Sequence, residues 1–328
     1  MIQTRGLTKD FVVSKAQTVH AVRGIDLDIA PGELVAVLGP NGAGKTTTMR
    51  MLTTLIRPTG GTATVAGVDV VQDPATVRRH IGYVGQGNGA GHNQRGVDEL
   101  YSQGLIYGFD RASARRRAHE LVEALELSAH ANRKVSELSG GQRRRLDVAL
   151  GLVHAPQLLF LDEPTTGLDP HNRANLWEHI VRLRAEHEMT IMLTTHYLDE
   201  ADTMAERVLV MDHGRVIADD TAPRLKASLG DRVVVTVTAP DVAVPIAHRA
   251  PGARGVEVDG SRITLRVGDG PAVLPGLLRA LDAAGAGTRT ATVAQPTLDD
   301  VFLSLTGRSL REAGAASAAT APGTPKES

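Results

Sequence analysis

The order of apolar and polar positions predicts a chain of strands and helices with one change of style near residue 230. Asp26-Leu27-Asp28-Ile29 alternates polar and apolar, the pattern of a half-buried strand, and residues 1 to about 37 read as strands throughout. Pro31-Gly32 marks a turn, and Leu34 to Leu38 is an unbroken apolar run that suits a buried strand. Thr47 to Leu55 predicts a helix. From about Arg95 to Gly151 the pattern turns helical, with Ala112 to Leu125 rich in Ala, Arg, Glu and Leu. From Gln157 to Met211, strands at Leu158–Leu161 and Thr190–Leu193 alternate with helices at Asn172–His187 and Leu198–Ala205. Alternation of this kind implies an α/β fold with a mainly parallel, doubly wound sheet.

After Gly230 the register changes. Arg232 to Thr238 predicts a strand, Val244 to Arg249 a helix, and Val256 to Leu265 a hairpin turning at Asp259-Gly260. Ala272 to Ala284 predicts a helix, Thr288 to Val293 a strand and Leu298 to Leu305 a last helix. The order β-α-β-β-α-β plus a helix suits a small ferredoxin-like α+β domain. The expected division is therefore residues 1–228, with a helical subdomain at about 95–153, then an accessory domain at 229–308 and a disordered tail at 309–328, rich in Ala, Gly, Pro, Ser and Thr.

Composition narrows the chemistry. The formal net charge of the 328 residues is -1, which argues against a general nucleic-acid binder. There are no cysteines, so disulfides, thiol catalysis and Cys-ligated metal sites are excluded. No stretch approaches 18 uninterrupted apolar residues, so a membrane-spanning segment is not expected. Aromatics make up 3%, leaving Val, Leu, Ile and Ala to build the core.

Two motifs carry the chemistry. Gly39-Pro40-Asn41-Gly42-Ala43-Gly44-Lys45-Thr46 matches G-x-x-x-x-G-K-T between an expected strand and an expected helix. Glycines let backbone N–H groups close on phosphate oxygens, the helix that follows directs its positive end at the same anion, Lys45 adds a mobile charge, and Thr46 offers a hydroxyl to Mg²⁺. Such a loop needs a second ligand for magnesium at a strand end, and Leu158-Leu159-Phe160-Leu161-Asp162-Glu163 supplies it. Asp162 is the expected ligand, and Glu163 the expected general base for the attacking water. A carboxylate pair after a strand is by itself an ordinary turn; beside this loop it becomes a catalytic pair.

Four further segments give the set a resemblance. Leu138-Ser139-Gly140-Gly141-Gln142 reproduces the LSGGQ signature of ABC ATPases. Gln86 in Gly82-Tyr83-Val84-Gly85-Gln86, Asp169 in Gly167-Leu168-Asp169 and His196 in Thr194-Thr195-His196-Tyr197 look like that family's Q-loop, D-loop and switch histidine. Residues 1 to about 225 resemble an ABC ATPase. The resemblance implies a P-loop NTPase core with a parallel sheet, an N-terminal antiparallel β-subdomain and a helical subdomain. It implies nucleotide binding by Gly39 to Thr46, Thr47, Ser139 to Gln142, Asp169 and the A-loop aromatic Phe11, and catalysis by Glu163, His196, Lys45 and Gln86. Magnesium would fall to Thr46, Gln86 and Asp162. Where many relatives have Pro before the Q-loop glutamine, this chain has Gly85, followed by a Gly/Asn-rich run to Asn93.

The stretch Thr195 to Asp202, the Asp169-Pro170 ending and Gln295 to Leu303 resemble the daunorubicin-resistance-type drug-export ATPases. That resemblance implies ATP and Mg²⁺ as ligands, a head-to-tail dimer with a second copy, a separate transmembrane permease, a peripheral position on the cytoplasmic face of the membrane, and no nucleic-acid partner. An ABC ATPase with a non-transport role, such as cluster assembly, is the rival reading.

Overall fold

A computed structural model describes residues 1–14 and 17–309. The expectation of a disordered tail therefore falls, apart from Ser309, outside the described residues. The chain divides into two compact units, the first covering Met1–Asp219 and the second starting at Asp220.

In the first unit, β1 (Ile2–Ser14), β2 (Gln17–Ile29), β4 (Gly60–Val65) and β5 (Val68–Asp69) form a sheet in the order β2-β1-β4-β5. Strand β1 pairs antiparallel with β2 and β4, and β4 pairs antiparallel with β5. A second sheet has the order β10-β9-β3-β8-β7-β6 and is built from β3 (Leu34–Leu38), β6 (Ile81–Val84), β7 (Leu158–Asp162), β8 (Thr190–Thr195), β9 (Arg207–Asp212) and β10 (Arg215–Asp220). Strands β9, β3, β8, β7 and β6 pair in parallel. Every residue of β3, β7 and β8 is buried, which is why these strands read as continuous apolar runs rather than alternating ones. Helices α1 (Lys45–Leu52), α2 (Pro74–His80), α3 (Gly96–Ile106), α4 (Arg111–Ala124), α5 (Gly140–Leu152), α6 (Pro170–His187) and α7 (Leu198–Met204) complete the unit.

The parallel register gathers chain ends. Leu38 lies opposite Thr195, Asp162 opposite Thr194, and Val84 opposite Leu161. The residues that follow these positions leave the sheet along one edge, where crevices at the carboxyl ends of parallel strands bind ligands. The first helix begins at Lys45, two residues earlier than its pattern suggests, so the lysine sits on the first turn. It stops at Leu52, because Thr53 turns its hydroxyl back onto the Met49 carbonyl and Thr54 takes a left-handed backbone, φ 63°.

The second unit contains α8 (Ala222–Ala227), β11 (Asp231–Val237), α9 (Pro240–His248), β12 (Arg254–Asp259), β13 (Arg262–Val267), α10 (Gly270–Ala283), β14 (Thr288–Ala294) and α11 (Leu298–Thr306). Its sheet is antiparallel in the order β12-β13-β11-β14. That is the second, third, first and fourth strand of a β-α-β-β-α-β unit, the ferredoxin-like order. Val233, Val235, Ile263, Leu265, Leu277 and Leu281 form its own core.

Candidate nucleotide site

Position 39 and position 44 require glycine for steric reasons. A Cβ at Gly39 would run into the Met211 carbonyl at the end of β9, and Gly44 sits at φ +103° against the Ala21 carbonyl of β2. The loop is also tied by hydrogen bonds, since Gly214 N–H donates to the Ala43 carbonyl at 2.9 Å and Arg23 N–H to the Gly214 carbonyl at 2.8 Å. The strand end, β2 and the turn at Gly214 thus fix the loop before any ligand arrives, so little ordering entropy remains to be lost on binding.

Lys45 is buried, and its Nζ donates to the carbonyls of Gly39 at 2.7 Å and Pro40 at 3.1 Å. Burial pushes its ammonium below the ordinary lysine value, against the pull of Glu163 and Asp162. Thr46 Oγ1 donates to Asp162 Oδ1 at 2.9 Å and accepts from Gln86 Nε2 at 3.3 Å. Thr194 Oγ1 donates to the same Asp162 oxygen at 2.6 Å. Asp162 is 1% exposed, and its other carboxylate oxygen, Oδ2, has no hydrogen-bond partner among the described residues. A buried carboxylate oxygen left without a donor is costly, and a hard cation removes that cost. Thr46, Asp162 and Gln86 are therefore an oxygen donor set that suits magnesium.

Glu163 has a left-handed backbone, φ 48°, held by its N–H donating to the Thr194 hydroxyl at 3.0 Å. For a residue with a Cβ this conformation is unfavourable, and it aims the side chain away from the line of β7. Glu163 Oε2 accepts from Thr166 Oγ1 at 3.2 Å and lies 3.2 Å from His196 Nδ1, without the alignment of a hydrogen bond. His196 in turn packs on Tyr197, centroids 4.3 Å apart. Behind them, buried Glu200 accepts from Thr165 Oγ1 and from Thr195 Oγ1, the latter at 2.8 Å, which ties the turn after the acidic pair to the residue before His196.

A cavity of about 490 Å³ is lined by Asn41 to Thr47, Gln86 and Glu163 together with Val19, His20, Ala21, Arg23 and His213, while Asp162 and His196 stand outside its lining. Its volume is within the range of small-molecule sites. Val19, His20, Arg23 and His213 were not legible as site residues, because β-hairpin and turn positions carry no motif. Phe11 does not line this cavity. It is 40% exposed, has Lys9 Nζ 5.1 Å from its ring centroid, and pairs across the hairpin with Val19, which does line it. The hairpin thus carries Phe11 beside the cavity wall rather than in it.

The signature and Asp169 also stand apart from the cavity lining. Ser139 and Gln142 form a capping box on α5: Ser139 N–H donates to Gln142 Oε1 at 2.9 Å, and Gln142 N–H donates to Ser139 Oγ at 3.2 Å. Asp169 caps α6 through Asn172 N–H at 3.0 Å and accepts from Asn172 Nδ2 at 2.6 Å, and these bonds hold its carboxyl below the usual carboxylate range. Gly141 abuts Asn172 so closely that a Cβ would strike the Asn172 side chain, which joins signature and D-loop within one chain.

Comparison with known proteins meets this geometry. The family model described as ABC transporter matches residues 22–166. The chain is 43% identical over 311 residues to the daunorubicin/doxorubicin resistance ATP-binding protein of Streptomyces peucetius, spanning 93% of this chain and 92% of that protein. It belongs to the ABC transporter family of ATP-binding proteins. The cassette is also 37% identical over 295 residues to the Nod factor export ATP-binding protein I of Paraburkholderia xenovorans, spanning 89% of this chain and 93% of that protein. Among solved structures, a dimeric ATP-binding cassette in a post-hydrolysis state bound to ADP and Pi superposes with a TM-score of 0.63 at 25% identity, covering 67% of this chain and 98% of that chain. A component of an ABC transporter complex from Clostridium perfringens gives the same TM-score and identity over 76% of this chain and 95% of that chain.

Proposed function

We propose that this cassette hydrolyses Mg·ATP as a dimer and thereby powers a separate membrane permease that exports a drug or other hydrophobic compound. The observation that carries the hydrolytic part is the bonded set Thr46, Asp162 and Gln86 directly beside Glu163, whose Oε2 lies 3.2 Å from His196 Nδ1. Lys45, released from the Gly39 and Pro40 carbonyls, binds the β- and γ-phosphates, and the loop N–H groups hold the remaining oxygens. Glu163 Oε2 takes the proton of the attacking water, with His196 keeping that carboxylate oriented. Thr46, Asp162 and Gln86 would hold magnesium, which would supply neutralisation of charge on the phosphates. Catalysis by such a set is positioning plus electrostatics.

The dimer is supported by the placement of the signature, outside the cavity of its own chain, and by the dimeric state of the solved relative. In that arrangement Ser139 and the N-terminus of α5 face the γ-phosphate on the second copy, and Asp169 faces its P-loop. Among the described residues no helix is long and apolar enough to cross a membrane, so the pore falls to another chain. A groove of about 280 Å³ that includes Gly85, Gly87, Gly89, Tyr107 and His154 flanks Gln86 and suits permease docking, with peripheral attachment at the cytoplasmic face. Export rather than import, and a hydrophobic cargo, are supported by the drug-resistance and Nod factor export roles of the relatives.

Glu163→Gln tests the reading. The variant is expected to bind ATP with unchanged affinity while hydrolysis by the purified full-length protein falls by about 10²-fold or more, the scale of removing a general base. Hydrolysis unchanged by this substitution sinks the assignment. Transport by a permease reconstituted with it, lost on disabling the ATP site, tests the coupling.

A further inference from the structure

Deep beneath the site lies a charged residue that the hydrolytic set does not use. Arg144, on the first turns of α5, is 8% exposed. Its guanidinium donates from Nε to the Pro164 carbonyl at 2.6 Å, from Nη1 to the Gly85 carbonyl at 2.7 Å, and from Nη2 to the Asp162 and Glu163 carbonyls, both at 3.3 Å. One turn further along α5, Asp147 is 4% exposed, stands 3.9 Å from the guanidinium and accepts from Gly89 N–H at 2.8 Å. These acceptors are not scattered. Gly85 is the residue before Gln86, Asp162 and Glu163 are the acidic pair, and strands β6 and β7, which they end, are neighbours in the sheet.

We propose that Arg144, with Asp147, is a positioning residue by which the signature helix holds Gln86 and Glu163 in register. Two physical arguments favour this over a plain structural role. A buried ion pair is seldom the most stable choice, since apolar residues of similar volume often serve stability as well or better. What an arginine offers instead is a rigid planar fork with five donors, able to grip four carbonyls in fixed relative positions; lysine has the charge without the fork. Because Ser139 to Gln142 begin the same helix, any shift of α5 at the signature is carried by Arg144 to the Gly85 and Glu163 backbones together. The Gly/Asn-rich run after Gln86 has little stiffness of its own, and Asp147 supplies it at Gly89.

The inference rests on the ATPase reading for its consequence but not for its geometry, and the test separates the two. Full-length wild type, Arg144→Lys and the double variant Arg144→Met/Asp147→Asn are compared. The double variant removes both charges together, so it leaves no buried charge unpaired and keeps the fold available if the lysine variant fails to fold. ATP affinity, kcat, melting temperature and amide hydrogen exchange are measured. The expected result is ATP affinity within about threefold of wild type, kcat lower by roughly tenfold or more, and faster exchange at residues 85–90 and 162–166 together. Retained kcat with unchanged exchange in both segments overturns the proposal, as does a loss of kcat matched by an equal loss of affinity. A wild type that does not hydrolyse ATP would refute the ATPase reading alone, because the paired change in exchange still reads the grip.

Discussion

The phosphate end of the site and the signature end are built in opposite ways. At the phosphate end the functional side chains are held by other groups of the chain: Lys45 by loop carbonyls, Asp162 by two threonine hydroxyls, the Glu163 carboxylate by Thr166. Its centre is buried, with Lys45 at 5% and Asp162 at 1% exposure. At the signature end Ser139 and Gly140 are exposed, and their hydrogen bonds are the local ones that any well-capped helix makes. One end is preorganised for its ligand; the other is a helix N-terminus presented outward. A helix N-terminus attracts anions, yet this one lies outside the lining of its own chain's cavity. The contrast is what a site shared between two copies requires.

Two substitutions can break that contrast, and the larger effect belongs to the phosphate end. Lys45→Ala removes the cation closest to the loop carbonyls, so ATP binding and hydrolysis should fall together, hydrolysis by about 10²-fold or more. Equilibrium binding of a fluorescent ATP analogue beside steady-state hydrolysis checks this; binding retained in full would mean the loop backbone alone carries affinity. Ser139→Arg should act differently. Binding to a single chain should stay within about threefold while turnover falls by roughly tenfold or more, the mark of an interaction made only on the way to the transition state. If both variants lose binding equally, the two ends belong to one site in one chain and the dimer reading fails. Mixing the two variants sharpens the same point. A heterodimer joins the intact P-loop of one copy to the intact signature of the other, so activity should return on mixing.

Much of this was legible in the sequence because motif residues are few, local and constrained in type. The strand ending at Leu38, the loop to Thr46 and the acidic pair at Asp162-Glu163 each occupy one short window, and the parallel sheet then aligns windows that lie more than a hundred residues apart. The second unit was legible as an element order, with the strand order following from it. What could not be read were side chains whose role is defined by a distant partner. Thr194 looks like one more polar residue at a strand end until Asp162 accepts its hydroxyl. Arg144 sits among three consecutive arginines and differs from its neighbours only in facing inward onto four carbonyls. Val19 and Ala21 carry no chemical signature at all, and only the hairpin brings them to the cavity. Phe11 is a recognisable type at the expected place, paired across the hairpin with Val19 of the cavity lining.

The smallest expected effect probes the seam between the two ends. Gly141 of the signature and Asn172 of α6 pack so closely that a methyl at position 141 displaces the Asn172 side chain, which also donates to Asp169. Gly141→Ala should therefore destabilise the fold by about 1–3 kcal/mol, the ordinary cost of overpacking, with a modest further loss of turnover. Asn172→Ala alone removes the bond to an exposed carboxylate and should cost less. Made together, the two should be less harmful than the sum, because the shortened residue 172 leaves room for the new methyl. A coupling of about 1 kcal/mol in a double-mutant cycle, read from denaturant midpoints, would establish that the signature and the D-loop move as one body within a chain. Strict additivity would show instead that the signature end is free of the rest, and that closure on a second copy positions it without help from α6.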